Sequence, residues 1–276
     1  MSFDEVRREI ERRGFEIARE IEKPSDLERV LDEPVSFVAV AGGDGTVRKA
    51  ARALAGRGVP LAILPTGTAN NIAAALGVRG RVREVVEAWG AGRRAAFDMG
   101  VARGPWGDGL FLEGVGGGLV PAGIAAAQER PAGEEADAKE ALAHALRSYR
   151  ESLDRIRARP WVLRIDDRPV EGEFLLVEAL NIPTVGANLA LAPDARPDDG
   201  LFDVVTAGEA ERSKLAAYLD DRLRGRKGRL ELPMRRARSV AVSGWNLMHV
   251  DDEMRKLSPS AAVSIEILPH AIEFVV

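Results

Sequence analysis

The chain has 276 residues, 46% of them hydrophobic, so it can bury a sizeable core and is long enough for two modest domains. It has no cysteine, which excludes disulfide bonds and thiolate metal sites, and no apolar stretch of the length that a membrane span requires. The net charge of −4 disfavours nucleic acid as a partner, and the charged N-terminus lacks the pattern of a secretory signal, so we expect a cytoplasmic protein.

Helices and strands are predicted to alternate in the N-terminal third. Residues 4 to 22 carry apolar side chains at helical spacing and predict a helix that Gly14 could break, and residues 26 to 31 predict a second, short helix. The apolar runs 35–41 and 60–64 predict buried strands, each followed by a polar turn and a further helix. The alternation predicts a small doubly wound α/β domain over residues 1 to 97, built on a parallel sheet.

Two polar turns follow the predicted strands, Gly42-Gly43-Asp44-Gly45-Thr46 and Pro65-Thr66-Gly67-Thr68-Ala69-Asn70-Asn71. Glycine lets backbone N–H groups approach an anion closely, and a carboxylate such as that of Asp44 can bind a divalent cation. Ligands of open α/β sheets bind outside the carboxyl ends of the strands, so both turns are expected to face one crevice. One such turn alone is typical of any strand-to-helix connection, whereas the pair favours a phosphate site.

Short strands with turn signals dominate the sequence after Asp98, and they predict a β-sandwich domain over residues 98 to 276. The predicted strands are 99–103, 109–113, 161–166, 173–181, 202–207 and 239–242. A segment over about 121 to 158, rich in Ala, Glu and Arg, predicts one or two helices with a break at 131–133. This helical insertion could be a lid over a substrate cleft or a solvated excursion.

Two later motifs extend the pattern of the glycine turns. The stretch from Asn181 to Val205 contains Ala-Pro-Asp-Ala and Asp-Asp-Gly, and Val250-Asp251-Asp252-Glu253 lies near the end. In this order and spacing, the four motifs resemble those of the lipid kinases related to diacylglycerol kinase and sphingosine kinase, from about Phe15 to the C-terminus. The resemblance implies Mg²⁺-dependent transfer of the γ-phosphoryl group of ATP to a hydroxyl of diacylglycerol or a related lipid alcohol. It also implies a peripheral encounter with the inner face of the membrane.

The resemblance assigns roles to individual residues. It implies catalytic roles for Asp44, Asp251 and Glu253, with Asp251 as the general base toward the acceptor hydroxyl. The implied nucleotide-binding residues are Gly42, Gly43, Asp44, Gly45, Thr46, Thr66, Gly67, Thr68 and Asn70. Asp44 is expected to hold Mg²⁺, and the loop with Asp198, Asp199 and Asp203 resembles a structural Mg²⁺ site of bacterial relatives. Asp-Asp-Gly before a strand is equally typical of an ordinary turn.

Three departures from the family pattern keep other functions open. No Asn-Pro-x-x-Gly turn precedes the first glycine turn, Asp252 occupies the position of a glycine, and Asn71 that of an aspartate. The nucleotide site is therefore expected to be less complete, and a glycine at 252 suggests a turn with positive φ. The alternatives are a weakened or inactive nucleotide- or lipid-binding regulator of the same fold, and an NAD kinase, which shares the GGDGT turn. The sequence leaves a homodimer open.

Two further features lie near these motifs. His249 stands two residues before Asp251 and is a candidate to orient the site, whereas the histidines at 144 and 270 have no metal-ligand spacing. The run Gly114–Gly118 lacks the spacing of a dinucleotide-binding fingerprint. We expect it to let backbone or substrate approach closely at the junction of the two domains.

Overall fold

The computed structural model describes residues 3–23, 26–27, 34–130 and 137–276. The chain folds into a mixed α/β N-terminal half followed by a C-terminal β-sandwich, as the sequence predicts. The helices are α1 (Phe3–Arg12), α2 (Asp44–Leu54), α3 (Asn71–Ala75), α4 (Val82–Trp89), α5 (Leu119–Glu129), α6 (Ala138–Arg155) and α7 (Arg212–Leu223). The strands are β1 (Val38–Gly42), β2 (Leu61–Pro65), β3 (Arg94–Gly104), β4 (Gly107–Phe111), β5 (Gly114–Gly118), β6 (Arg159–Pro160), β7 (Val162–Ile165), β8 (Arg168–Val170), β9 (Glu173–Phe174), β10 (Leu176–Leu180), β11 (Thr184–Val185), β12 (Leu189–Ala190), β13 (Phe202–Ala207), β14 (Met234–Ala237), β15 (Ser239–Ser243), β16 (Leu247–Val250), β17 (Glu253–Lys256) and β18 (Val263–Val275).

The first sheet begins with the two strands that carry the glycine turns. β1 and β2 pair in parallel, with Val38 opposite Leu61 and Gly42 opposite Pro65, so both strands end at the same edge. Leu61, Ala62, Ile63 and Leu64 are all buried, as expected for a strand covered on both faces. The sheet therefore places the two glycine turns side by side.

The same sheet continues into the C-terminal half of the chain. Its strand order is β1-β2-β18-β15-β7-β8, and β3 pairs with β18 and with β4. The long strand β18 is parallel to β2 near its end and antiparallel to β15 near its start, with β3 along its other side. The division at residue 97 stays a prediction, and β3 runs through that position.

The second sheet is antiparallel, in the order β14-β13-β10-β5-β16-β17. One face packs on β7 and β15 of the first sheet through a buried apolar cluster that includes Trp161 and Val240. The other face packs on α5, α6 and α7, where Leu146, Tyr149 and Leu153 of α6 are buried. The described helices of the predicted insertion, α5 and α6, thus pack on the core, and neither a lid nor a solvated excursion describes them.

Other predictions differ from the structure in detail. The first helix ends at Arg12, at the break expected at Gly14, which adopts a φ of 83°. The helix does not resume after this break, and Phe15 packs edge-on against the rings of Phe37 and Trp89. The predicted strand 173–181 is divided between β9 and β10. The predicted helix 26–31 lies mostly outside the described residues, as does the break at 131–133. No helix in the described part of the chain combines the length and the apolarity that crossing a bilayer requires.

Candidate active site

The two predicted nucleotide-binding turns touch each other through glycines. The Thr66 N–H donates to the Gly42 carbonyl at 3.1 Å, and a Cβ on Gly43 would lie 3.0 Å from the Cα of Gly67. A Cβ on Gly42 would meet the Thr46 side chain at 2.7 Å. Side chains at these glycines would therefore separate the turns or displace Thr46.

Polar side chains of the turns hold this arrangement. Asp44 Oδ1 accepts the Ile72 N–H at 3.0 Å and so links the first turn to α3 of the second. Asn70 has a φ of 52°, and its side chain accepts the Gly67 N–H at 3.0 Å and donates to the Gly67 carbonyl at 2.6 Å. Asn70 thus braces its own turn, while Thr66 and Thr68 are exposed and can offer hydroxyls to a ligand.

The Asp-Asp-Glu motif forms the tip of a hairpin. β16 and β17 pair with Val250 opposite Glu253, which leaves Asp251 and Asp252 as a two-residue loop. Asp251 has a φ of 55°, whereas Asp252 does not adopt positive φ. The residue with the left-handed backbone conformation is therefore Asp251. Position 252, where the family carries glycine, has no positive φ, so the side chain of Asp252 causes no backbone strain.

Asp251 is enclosed at the centre of the site. Its carboxylate is 0% exposed and accepts N–H groups from Glu113 at 2.9 Å and from Leu112 at 3.2 Å. The guanidinium of Arg52 lies 3.2 Å from Oδ2. Burial raises the pKa of Asp251, and nearby Arg48 opposes that effect.

Two arginines of α2 join the glycine turn to the hairpin. Arg48 is buried and forms ion pairs with Glu113, with Asp252 at 2.6 Å and with Asp251 at 3.6 Å. Arg52 contacts Glu253 at 2.5 Å. Although burial acts in the opposite direction, this arginine holds the pKa of Glu253 below its ordinary value. Sequence reasoning missed both arginines, although they follow Asp44 at four-residue spacing on one helix face.

Glu113 is a second site residue that sequence reasoning missed. Its Oε2 accepts the Asn71 amide at 2.8 Å, and Asn71 also donates to the Gly186 carbonyl at 3.1 Å. Burial, followed by the charge of Asp44, raises the pKa of Glu113 to about 8. An ionised aspartate at 71 could not donate to Glu113. The carboxylate that the family carries at position 71 is absent from this chain, but the carboxyl group of Glu113 lies beside that position.

The acidic loop is held by contacts of its own. Asp198 pairs with Arg196 at 3.2 Å, Asp199 pairs with Arg236, and Asp203 is buried in β13. In the part of the chain that the structure describes, no three acidic or histidine side chains are grouped to hold a metal ion. The metal site at Asp198, Asp199 and Asp203 stays a prediction.

Asp98, which sequence reasoning did not select, fastens this loop to the first sheet. Its buried carboxylate accepts N–H groups from Gly200 and His270, each at 2.7 Å. His270 lies where the pairing of β18 with β3 is interrupted. These two hydrogen bonds join the acidic loop to β3 and β18 of the first sheet.

Comparison with protein families gives two adjacent matches. Residues 2–102 match the diacylglycerol kinase catalytic domain, and residues 118–276 match the YegS C-terminal NAD kinase beta sandwich-like domain. The first match contains both glycine turns. The second contains the acidic loop and the Asp251 hairpin.

Similar proteins carry related names. A probable lipid kinase YegS-like protein of Pseudomonas aeruginosa is 34% identical over 65% of this chain, which spans only 58% of that relative's length. One from Stenotrophomonas maltophilia is 30% identical over 75% of this chain and 68% of its own. The solved structure of a diacylglycerol kinase, described as putative, from Bacillus anthracis has the same fold, with a TM-score of 0.70 over 92% of this chain and 84% of its own at 22% identity. The chain therefore belongs to the family that joins a diacylglycerol kinase catalytic domain to a YegS-type β-sandwich.

Proposed function

We propose that this protein is an ATP-dependent kinase that phosphorylates a hydroxyl of diacylglycerol or a related lipid alcohol. The observation that carries the proposal is the connection of the GGDGT turn to the Asp251 hairpin. Arg48 and Arg52, on the helix that follows the turn, contact both Asp251 and the residues beside it. A phosphate-binding turn and a candidate proton acceptor are thereby parts of one site.

The residues of the two turns fit a nucleotide phosphate. Around Gly45, a Cβ would have only ordinary contacts, with Arg48 Nη2 at 3.6 Å and Asp252 Oδ2 at 3.8 Å, so the backbone there is open and borders a guanidinium that is paired with a carboxylate. The proposed phosphate donors are the N–H groups of the first turn at the start of α2 and the exposed hydroxyls of Thr66 and Thr68.

The donor set also fits Mg²⁺, with Asp44 as its proposed ligand. Magnesium sites in kinases use one or two carboxylates together with substrate phosphates and water, so a larger acidic cluster is not required. When bound, Mg²⁺ would neutralise phosphate charge during transfer. Proton acceptance from the lipid hydroxyl is assigned to a residue of the chain, Asp251.

Asp251 is the proposed general base, with Glu253 beside it. Burial moves the pKa of Asp251 toward the range in which a carboxylate accepts a proton more readily, which suits this role. In the described conformation its carboxylate is fully enclosed. An acceptor hydroxyl can therefore reach it only after a neighbouring group moves, and we assign this movement to Arg48 or Arg52 when substrate binds at the membrane surface.

The test is phosphate transfer from radiolabelled ATP with Mg²⁺ to a panel of diacylglycerol, sphingosine, phosphatidylglycerol, a prenol and NAD. A labelled lipid that disappears with Asp44→Ala and with Asp251→Asn would support the proposal and identify the acceptor. A labelled NAD product would replace the proposal with NAD kinase. ATP binding without any product would favour a non-catalytic regulator.

A further inference from the structure

A buried histidine and a buried glutamate meet beneath the Asp251 turn. His249 of β16 and Glu178 of β10 have fully buried side chains, and His249 Nε2 lies 2.8 Å from Glu178 Oε2. The two strands are not neighbours, because β5 lies between them. Both residues align with Gly116 of β5, one from each side.

Gly116 is what allows this contact. Neighbouring strands lie about 4.8 Å apart, so β10 and β16 are separated by roughly 10 Å, and residues aligned across a sheet point to one face. A Cβ on Gly116 would collide with the side chain of Glu178. The glycine run predicted to allow close approach thus admits two side chains of the sheet itself, which meet over Gly116.

The hydrogen bonds of His249 determine where protons must lie. Its Nδ1 is 2.6 Å from the carbonyl oxygen of Asp251, and a carbonyl only accepts, so Nδ1 carries a proton. Nε2 faces a carboxyl oxygen, so a further proton lies between Nε2 and Glu178. His249 and Glu178 therefore share one proton and form a pair that is neutral overall.

The pair also contacts the Asp251 turn. The carbonyl that His249 binds belongs to Asp251, whose positive φ is unusual for a residue with a side chain. On its other side, Asp251 accepts the N–H groups of Leu112 and Glu113. The residue is thus fixed at its backbone by the pair and at its carboxylate by the loop before β5.

We propose that Glu178 and His249, meeting over Gly116, are positioning residues that hold the Asp251 turn and thereby place its carboxylate for proton acceptance. The assignment rests on the proposed function only in that Asp251 acts on substrate. The charged and titratable groups that face the pair are the carboxylate of Asp251, next to His249, and the hydroxyl of Tyr149, near Glu178.

The surroundings favour retention of the shared proton. Burial acts to lower the pKa of His249, but Glu178 raises it above its ordinary value. Burial also raises the pKa of Glu178. The second oxygen of Glu178, Oε1, is buried without a hydrogen-bond partner among the described residues, which disfavours a lone carboxylate charge there.

The proton is tested by NMR of the full chain with ¹⁵N-labelled histidines. Only three histidines are present, so His144→Asn and His270→Asn variants identify the His249 signals. We expect Nδ1 of His249 to stay protonated and the ring not to titrate between pH 6 and 8. Exposed histidines do titrate in this range, because their ordinary pKa is about 6.5. A His249 ring that titrates in that range, or that lacks the Nδ1 proton, overturns the proposal.

Positioning is tested by hydrogen exchange at the Leu112 and Glu113 amides, which donate to the Asp251 carboxylate. His249→Ala removes the contact with the Asp251 carbonyl, and we expect exchange at both amides to accelerate by about tenfold or more. His249→Asn keeps an N–H near the place of Nδ1 and is expected to restore most protection. His144→Ala, on α6, is the matched control. Unchanged exchange in His249→Ala contradicts the proposal.

Kinetics with dioctanoylglycerol as acceptor add a functional readout. We expect His249→Ala to lower kcat by about 10- to 100-fold with the KM for ATP changed less than about twofold, because only the base is displaced. Glu178→Gln leaves the Nδ1–H of His249 able to donate to the Asp251 carbonyl. We therefore expect the Leu112 and Glu113 amides to stay protected in this variant, while the His249 ring no longer shares a proton with residue 178. The exchange and NMR measurements need no turnover, so they decide the proposal even when the wild type phosphorylates no lipid.

Discussion

Arg48 carries a buried positive charge among three carboxylates from two parts of the chain. It contacts Glu113 before β5 and both aspartates of the hairpin loop. Burial acts to lower its pKa, while these carboxylates, Glu113 foremost, raise it above its ordinary value. The arginine therefore stays charged and compensates a concentration of negative charge that the fold would otherwise leave buried.

Replacement of Arg48 by methionine tests this compensation. Loss of one partner leaves buried carboxylates without their cation, and we expect the free energy of unfolding to fall by about 3 to 5 kcal/mol. Urea unfolding at pH 9, above the pKa of about 8 at which Glu113 ionises, measures the change. The double variant Arg48→Met with Glu113→Gln should recover part of the loss, and the exposed pair of Arg103 with Glu266 supplies Arg103→Met as a control with little effect. Equal losses in the single and double variants would contradict the account.

Glu113 makes stability depend on pH. Its pKa is raised to about 8 in the folded chain, against 4.5 for an ordinary glutamate, so between these values the folded state holds more protons than the unfolded state. Its contribution to stability is therefore complete below pH 4.5 and is lost as the pH rises to about 8. Glu113→Gln should become more stable relative to the wild type across this range.

Urea unfolding of both proteins at pH 5, 6.5 and 8 measures this difference. The difference between the two free energies cancels the titration of all groups that Glu113 does not contact. Parallel stability curves for wild type and Glu113→Gln would show that the carboxyl of Glu113 ionises normally in the folded chain.

At the scale of the elements, contact between the two glycine turns limits what can stand at position 67. A Cβ on Gly67 would overlap the backbone of Gly43, whereas a Cβ on Gly109 would have ordinary contacts of 3.5 Å or more. Neither glycine has positive φ, so the two differ in space and not in backbone conformation.

Gly67→Ala is therefore expected to lower the free energy of unfolding by about 1 to 3 kcal/mol through overpacking. It should also weaken ATP binding, measured by calorimetry, because the turns are pushed apart. Gly109→Ala is the matched control and is expected to keep wild-type ATP affinity. Wild-type affinity in Gly67→Ala would show that the turns need not touch to bind a nucleotide.

The sequence predicts these turns well because their determinants are local. β1, β2 and α3 follow apolar runs and turn residues within a few positions of where the structure has them. The sequence did not predict the contacts of Glu113 with Asn71 and Arg48, because these contacts join residues that are 42 and 65 positions apart in the chain. His249 was suggested by its position before Asp251, but its partner Glu178 depends on strand order across β5.

At the scale of the whole molecule, β18 joins the two halves of the chain. Residues 263–268 follow an alternating pattern, yet sequence reasoning did not predict the strand, whose second part follows a proline and pairs with distant β2. Phe274 of this strand is fully buried and packs edge-on against Phe97 at 5.1 Å. β18 therefore joins two parts of the first sheet. Through β2 it contacts the part that carries the glycine turns, and through β15 it contacts the part that packs on the second sheet.

Because β18 is shared, we expect both halves to unfold together in urea. Pulsed hydrogen exchange with mass spectrometry should give one midpoint for peptides from β2 and from β10. Phe274→Ala should destabilise both by the same amount, about 3 to 5 kcal/mol, while Val162→Ala at an exposed position should change little. Midpoints that differ by more than about 0.5 M urea would show two independent domains.

The central claim is that the Asp251 hairpin acts with the GGDGT turn in phosphate transfer to a lipid alcohol. A second Asp-Asp hairpin loop supplies a close control, since Asp166 also has positive φ and accepts two backbone N–H groups, from Arg238 and Ser239. The most direct measurement is therefore transfer from radiolabelled ATP to the lipid panel by wild type, Asp251→Asn and Asp166→Asn. We predict a lipid product that falls by about 100-fold or more in Asp251→Asn and is kept in Asp166→Asn. Equal activity of all three proteins, or a product on NAD alone, would contradict the claim.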